Sequence, residues 1–267
     1  MTRIVLGVEY DGSAFSGWQW QTNKRTVQSE LQTALSKIAD QEISVICAGR
    51  TDAGVHALEQ VVHFDTQADR DIKAWVLGVN SALSDDVRVT WAQPAVADFH
   101  ARYSAIARFY RYVILNRAMK SALFKSQVTW CYQELDADKM HRAAQYLLGE
   151  HDFSSFRAQG CQSKSPWRMM HFIDVYRRDE QVIIDICANA FLHHMVRNIT
   201  GVLMEIGMGR QPENWTQHLL HIKDRAQAGV TAPPHGLHLG AVYYPECYAI
   251  HKHPVFDKLP KDVRRFD

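Results

Sequence analysis

The sequence predicts an α+β protein made of two similar α/β lobes, with mainly antiparallel sheets joined across a central cleft. At 267 residues the chain exceeds the usual size of a one-core domain. Short β-rich runs alternate with stretches of helical spacing along its whole length. The element order of the first half also returns in the second, without a residue-level repeat.

Taken in order, Ile4 to Glu9 reads as a strand closed by the turn-prone Asp11-Gly12-Ser13. Val27, Leu31, Ala34, Leu35 and Ile38 follow at helical spacing, with Thr26 as the N-cap. Ile43 to Ala48 predicts a strand that delivers the chain into Gly49-Arg50-Thr51-Asp52-Ala53-Gly54, and Val61 to Phe64 a strand that leaves it. Asp71 is expected to cap a helix presenting Trp75, Val76, Val79 and Leu83 on one face, ahead of a strand near Val87 to Trp91.

In the second half Arg108 to Leu115 reads as a strand, and Asp136 caps a helix bearing Met140, Ala143, Ala144 and Leu147. Strands are expected near His171 to Tyr176 and Val182 to Cys187, then a helix over Phe191 to Met208 and a final strand over Leu237 to Tyr244. The lobes are drawn at 1–104, which carries the Asp52 loop, and 105–247, with a tail at 248–267.

Apolar residues make up 46% and charged residues 22%, with no block of like charge, so globular folding is expected throughout except for a loose C-terminal end. Met1 to Gly7 is too short for a signal peptide, and no apolar run approaches the roughly 20 residues of a spanning helix. A cytoplasmic protein with no membrane role is expected. Cys47, Cys131, Cys161, Cys187 and Cys247 are scattered singly and read as reduced packing thiols.

With a formal net charge of +1, binding a polyanion requires positive charge to be segregated. It is. Phe99 to Gln133 contains no Asp or Glu but holds Arg102, Arg108, Arg111, Arg117, Lys120 and Lys125. Two further acid-free windows, Phe153 to Ile173 and Ile186 to Met204, hold Arg157, Lys164 and Arg168, then His193, His194 and Arg197. Tyr103, Phe109, Tyr110, Tyr112, Phe156 and Trp167 are interleaved with them, a composition suited to nucleic acid and equally to strands with solvated faces.

The segment Ala48-Gly49-Arg50-Thr51-Asp52-Ala53-Gly54-Val55-His56-Ala57 sets a carboxylate between two glycines on a tight connection between strands. Alone, such an aspartate more often bonds its own loop. These ten residues, however, resemble the catalytic motif of the bacterial tRNA pseudouridine synthase A family. The resemblance extends to Gly7 to Gln21, Asp98 to Tyr103, Arg108 to Tyr112, Asp152 to Arg157, Asn189 to Asn198 and Gly236 to Leu239, in family order over about nine tenths of the chain. Trp20 departs from the pattern where a basic residue is common, and Lys164 where an arginine is.

That resemblance implies the pseudouridine synthase fold and isomerisation of uridine to pseudouridine at positions 38, 39 and 40 of the tRNA anticodon stem-loop, with base flipping. It implies Asp52 as nucleophile, Arg50 as the group that expels the base from its stack, Tyr110 stacked on the flipped uracil, Leu237 beside it and Arg197 paired with Asp52. It further implies tRNA contacts by Arg70, by Phe99, His100, Ala101, Arg102 and Tyr103, and by Gly160, Cys161, Gln162, Ser163 and Lys164. A homodimer is expected, with tRNA laid across both subunits and no metal or small-molecule cofactor. Two other readings compete: a metal-dependent hydrolase using Asp52 with His56 and His63, or the His193-His194 pair, and an RNA-binding module without activity. The first lacks a cysteine or H-x-x-x-H partner set, and the second leaves the Asp52 loop unused.

Overall fold

A computed structural model of the chain describes residues 1–251. Residues 252–267, most of the expected tail, lie outside the described residues. In chain order the elements are β1 (Thr2–Tyr10), α1 (Val27–Ala39), β2 (Ile46–Cys47), β3 (His56–Thr66), β4 (Val87–Ala95), β5 (Ala107–Asn116), β6 (Thr129–Cys131), α2 (Ala137–Gln145), β7 (Gly149–Asp152), β8 (Trp167–Arg178), β9 (Gln181–Ala188), α3 (Met195–Gly207), α4 (Trp215–Ile222) and β10 (Leu237–Tyr243). They group into two compact units, one comprising Met1–Ala107 with the described residues from His238 on, the other Arg108–Leu237. This division differs from boundaries at 104 and 247, because β10 pairs with β3 and so draws the last strand into the first unit.

In the first unit β1 pairs antiparallel with β3 and β4, β2 pairs antiparallel with β3, and β10 joins β3 in parallel at His238–His56 and Leu239–Ala57. The run Ile4-Val5-Leu6 and Val8 is buried regardless of which way each side chain points, so the sheet is covered on both faces. On one face Phe64 meets Trp75 edge-on at 5.2 Å between ring centroids. On the other, Phe99 packs against His63, Tyr244 and Tyr248, and Trp91 against His251.

Helix α1 starts where the sequence places it, with the Thr26 side chain accepting the Ser29 N–H and Ser29 completing a capping box. The strand expected over Ile43 to Ala48 shrinks to β2. The N–H groups of Ile43 and Val45 donate to the side chains of Ser36 and Gln32, which tie these residues to α1 instead of to β3. The helix expected after Asp71 is present but wound as a π-helix over Ala74–Gly78, with Trp75 and Val79 buried and Val76 and Leu83 partly exposed.

In the second unit β5, β9, β8 and β7 form an antiparallel ladder in that order, and β6 lies parallel to β5 at Ile114–Thr129, Leu115–Trp130 and Asn116–Cys131. Helix α2 lies on β8, and α3 and α4 pack beside it. Asp136 caps α2 as expected, accepting the Lys139 N–H. Helix α3 begins at Met195 and not at Phe191, because His194 takes a left-handed conformation (φ 59°, ψ 7°) that an α-helix does not continue through. The short strands β6 and β7 and the eight-residue α4 carry no sequence signal strong enough to have announced them. Among the described residues all five cysteines are free, and burial pushes the Cys47 thiol up to about 12, in keeping with a packing role. No helix among the described residues is long and apolar enough to cross a membrane.

One buried group opposes this packing. Glu59 on β3 is 2% exposed, and its Oε2 and the neighbouring Trp91 Nε1 both lack a hydrogen-bond partner. Burial pushes its carboxyl up to about 7, with the nearby indole N–H opposing the shift. A carboxyl raised in the folded state is still protonated where the unfolded chain has already ionised, so stability falls as pH rises from about 4.5 toward 7 and then levels off. Glu59→Gln keeps the shape without the titration. It is expected to match wild type near pH 4 and to exceed it above pH 7 by on the order of 3 kcal/mol, as measured by denaturant melts across pH.

Candidate active site

Asp52 lies on the eight-residue connection between β2 and β3, and this connection is gripped from three directions. From β3, the fully buried Gln60 donates through Nε2 to the Gly49 carbonyl at 2.6 Å and accepts the Gly49 N–H through Oε1 at 3.4 Å. From β1, the Tyr10 hydroxyl meets Thr51 Oγ1 at 2.7 Å. From the segment between β1 and α1, Trp18 donates its N–H to the Thr51 carbonyl at 3.0 Å. Within the loop, Val55 donates its N–H to the Asp52 carbonyl at 3.2 Å, closing a turn in which Gly54 has φ 78°.

That segment can approach only because it has glycine at the contacts. A Cβ at Gly12 would lie 1.9 Å from the Val55 carbonyl oxygen, and one at Gly17, which also has φ 94°, would lie 2.9 Å from that of Thr51. Backbone therefore rests on backbone on either side of Asp52. Asp52 itself is half-buried and Arg50 exposed, so a carboxylate on a firmly held loop sits two residues from an exposed guanidinium. The sequence does not mark Gln60 or Tyr10 as site residues, because β3 and β1 are buried on both faces and the alternation along them distinguishes neither.

Two of the histidines that a metal-hydrolase reading would use, His56 and His63, are packing groups in this unit. His56 is buried, accepts the Gly12 N–H through Nδ1 at 3.1 Å and stacks on His238 at 4.8 Å. His63 is buried, accepts the Ala101 N–H through Nδ1 at 3.1 Å, and is pushed down to about 4 by burial and by the nearby Arg3 and His100.

Of the expected RNA contacts in this unit, Phe99 and Ala101 are fully buried, so their side chains face the core. They support a platform beyond them. His100 Nδ1 accepts the N–H groups of Arg102 and Tyr103, its ring stacks on that of Tyr103 at 4.4 Å, and the Arg102 guanidinium lies 5.5 Å from the Tyr103 ring centre. Tyr103 is 75% exposed. Arg70 is exposed and donates to the Ile38 and Asp69 carbonyls.

In the second unit the alternation along β5 is as expected. Arg111 forms a two-bond ion pair with Asp185 at 2.7 Å and Phe109 packs toward Phe172, while Tyr112 on the other face is fully buried with its hydroxyl donating to the Pro233 carbonyl. Tyr110, on the Tyr112 side, meets Phe191 edge-on at 5.1 Å, and Arg108 donates to the Asn189 carbonyl at 2.8 Å. Arg197, in the first turn of α3, donates through Nε to the Ala232 carbonyl at 2.8 Å, and its own carbonyl accepts the Ala232 N–H at 3.1 Å. Leu237 is buried, at the end of the 228–237 segment that contains Ala232 and leads into β10.

The 160–164 loop is built around arginines. Arg157 donates to the carbonyls of Cys161 and Ser163, both at 2.7 Å, and Arg168 to Ser163 Oγ at 2.7 Å. Burial alone would raise the Cys161 thiol, but the N–H groups of His193 and Ser163 and the Arg157 charge outweigh it and lower it. Gly160, Gln162 and Lys164 are exposed.

A family model described as "tRNA pseudouridine synthase" matches residues 7–104 and 143–245. The chain is 58% identical over 264 residues to a tRNA pseudouridine synthase A of Methylococcus capsulatus, covering 99% of this chain and 97% of that one. It is 56% identical to that of Shewanella amazonensis, covering 94% and 96%, and 54% identical to that of Shigella boydii, covering 95% and 94%.

The glycine contacts generate a structural test. Gly12→Ala forces the Asp11 to Trp18 segment off the Asp52 loop, so amide exchange at Trp18 and Val55 is expected to accelerate, with a stability loss of roughly 1–3 kcal/mol. Gly160→Ala, at φ 75° with open space around it, is expected to cost about 1–2 kcal/mol through backbone strain and leave those two amides unchanged. Unchanged exchange in Gly12→Ala would show that the loop is held by something else.

Proposed function

We infer residue roles and target positions from the fact that this chain belongs to the tRNA pseudouridine synthase family and is an isomerase converting uridine to pseudouridine in tRNA. The reaction breaks the C1′–N1 bond and forms a C1′–C5 bond with no change of oxidation state. It needs a nucleophile that either adds to the base or captures the ribose. We assign that role to the Asp52 carboxylate. The observation that carries the assignment is a half-buried carboxylate on a loop whose backbone is held by Gln60, Tyr10 and the Gly12 to Trp18 segment, inside the ten-residue motif of the family.

The target uridines proposed are positions 38, 39 and 40 of the anticodon stem-loop. A base there is stacked, so it must be turned out at a cost of a few kcal/mol. Arg50, exposed two residues before Asp52, is proposed to take its place in the stack. Tyr110 supplies the face on which the uracil rests, Leu237 closes the apolar side, and Arg197 pairs with the nucleophile, its direction supported by the Nε bond to Ala232.

Binding is proposed to follow the exposed cations and rings: Arg70, the Arg102–Tyr103 platform on His100, and Gly160 to Lys164. The buried Phe99 and Ala101 hold the platform and do not touch RNA with their side chains. A homodimer sharing one tRNA across two subunits would double this positive surface, which suits a chain of formal charge +1.

Asp52→Asn retains shape and hydrogen bonding but removes the nucleophile. Turnover on uridine-containing tRNA is expected to fall to background while tRNA affinity stays within about threefold. Multiple turnover by that variant would sink the assignment. Tyr110→Phe keeps the stacking face and loses the hydroxyl; binding is expected to persist while product formation fails, if the hydroxyl moves the C5 proton in the closing step. Normal rates in Tyr110→Phe would leave Tyr110 with stacking alone.

A further inference from the structure

We propose that Arg225 is a positioning residue for this reaction, holding the 228–237 segment against α3 and thereby aiming Arg197. The proposal rests on the reading of Arg197 as a substrate-site residue. Arg225 lies in the connection between α4 and β10, outside every motif discussed above.

Its guanidinium converges on two pieces of chain at once. Through Nη1 it donates to the carbonyl of Gly229 at 3.0 Å and more weakly to that of Ala228 at 3.4 Å. Through Nη2 it donates to Thr231 Oγ1 at 2.9 Å and to Asn198 Oδ1 at 3.1 Å. Asn198 is fully buried on α3, next in sequence to Arg197. It also accepts from Thr231 Oγ1 at 2.7 Å and donates to the Phe156 carbonyl at 2.7 Å. One planar fork thus ties the segment to the helix beside Arg197.

The segment then reports directly on the Arg197 side chain. Ala232 gives its N–H to the Arg197 carbonyl and accepts from Arg197 Nε, so a shift of Ala232 turns the guanidinium. Contact is close enough to transmit small movements: a Cβ at Gly201 on α3 would lie 1.9 Å from the Val230 carbonyl oxygen. The same segment ends at Leu237.

Nothing in this arrangement requires charge neutralisation. All four acceptors are neutral oxygens, the Asp224 carboxylate is turned to the Ala226 N–H, and burial lowers the affinity of Arg225 for its proton. What the site uses is the fork. A lysine there carries the same charge but is a point donor, unable to span carbonyls on one side and Asn198 on the other.

The test uses the full chain with Arg225→Lys and the milder Thr231→Val, beside Arg197→Met. Amide exchange at Ala232, tRNA affinity and single-turnover rate are measured. Arg225→Lys is expected to accelerate exchange at Ala232 at least about tenfold and to slow the chemical step about 10- to 100-fold, with tRNA affinity within about threefold. Thr231→Val moves the same quantities less far. Added to Arg197→Met, Arg225→Lys is expected to cost less than about threefold more, because the aim of an absent guanidinium no longer matters.

Unchanged exchange at Ala232 in Arg225→Lys overturns the inference, as does a normal rate despite faster exchange, or losses that multiply in the double variant. Should Arg197→Met turn over normally while Arg225→Lys still frees Ala232, it is the reading of Arg197 that has failed, and the inference falls with it.

Discussion

The position of Asp52 depends on two places where backbone touches backbone with no side chain between. At Gly12 and Gly17 the chain between β1 and α1 comes down on the carbonyls of Val55 and Thr51. Any Cβ at the first would overlap the oxygen outright. Side chains could not hold the loop as firmly, since each adds rotatable bonds, whereas a peptide plane against a peptide plane leaves little to relax. The bonds from Gln60 and Tyr10 then only have to select one arrangement of a loop already confined.

The second unit uses arginine for a similar purpose. Arg108, Arg157, Arg168, Arg197 and Arg225 all donate to backbone carbonyls. A guanidinium bonded to a carbonyl organises a loop and still keeps its full charge. Arg111, by contrast, is matched by Asp185 and contributes little to a long-range field. Within the acid-free windows, arginines thus shape their loops through backbone carbonyls.

Much of this was legible in the sequence, for identifiable reasons. Thr26 and Asp136 cap their helices because a short polar side chain before an apolar period has few other uses, and the alternation of β5 follows from the pleat alone. What escaped depended on distant partners. The residues Ile43 to Val45 look like a strand but are held by Ser36 and Gln32. The left-handed turn at His194, which delays α3, has no local signature in that residue type. Phe99 and Ala101 fall in a basic window yet face the core, because burial is decided by the rings of His63 and Tyr244 and not by neighbours in sequence. Asp52 was legible through its motif, whereas Gln60, Asn198 and Arg225 were not, since their importance lies in which carbonyls they reach.

The pairing of β10 with β3 bears on how the protein is made. The second unit is one uninterrupted stretch, Arg108–Leu237, synthesised before the chain reaches His238. The first unit begins with β1 but lacks β10, and the Tyr244 and Tyr248 rings that cover Phe99, until the second unit has been made. During that interval the edge of β3 at His56 and Ala57 and one side of Phe99 stay uncovered, and the contacts that close them span most of the chain. Translation thus delivers the whole Arg108–Leu237 stretch first, and the sheet behind the Asp52 loop gains β10 only afterwards.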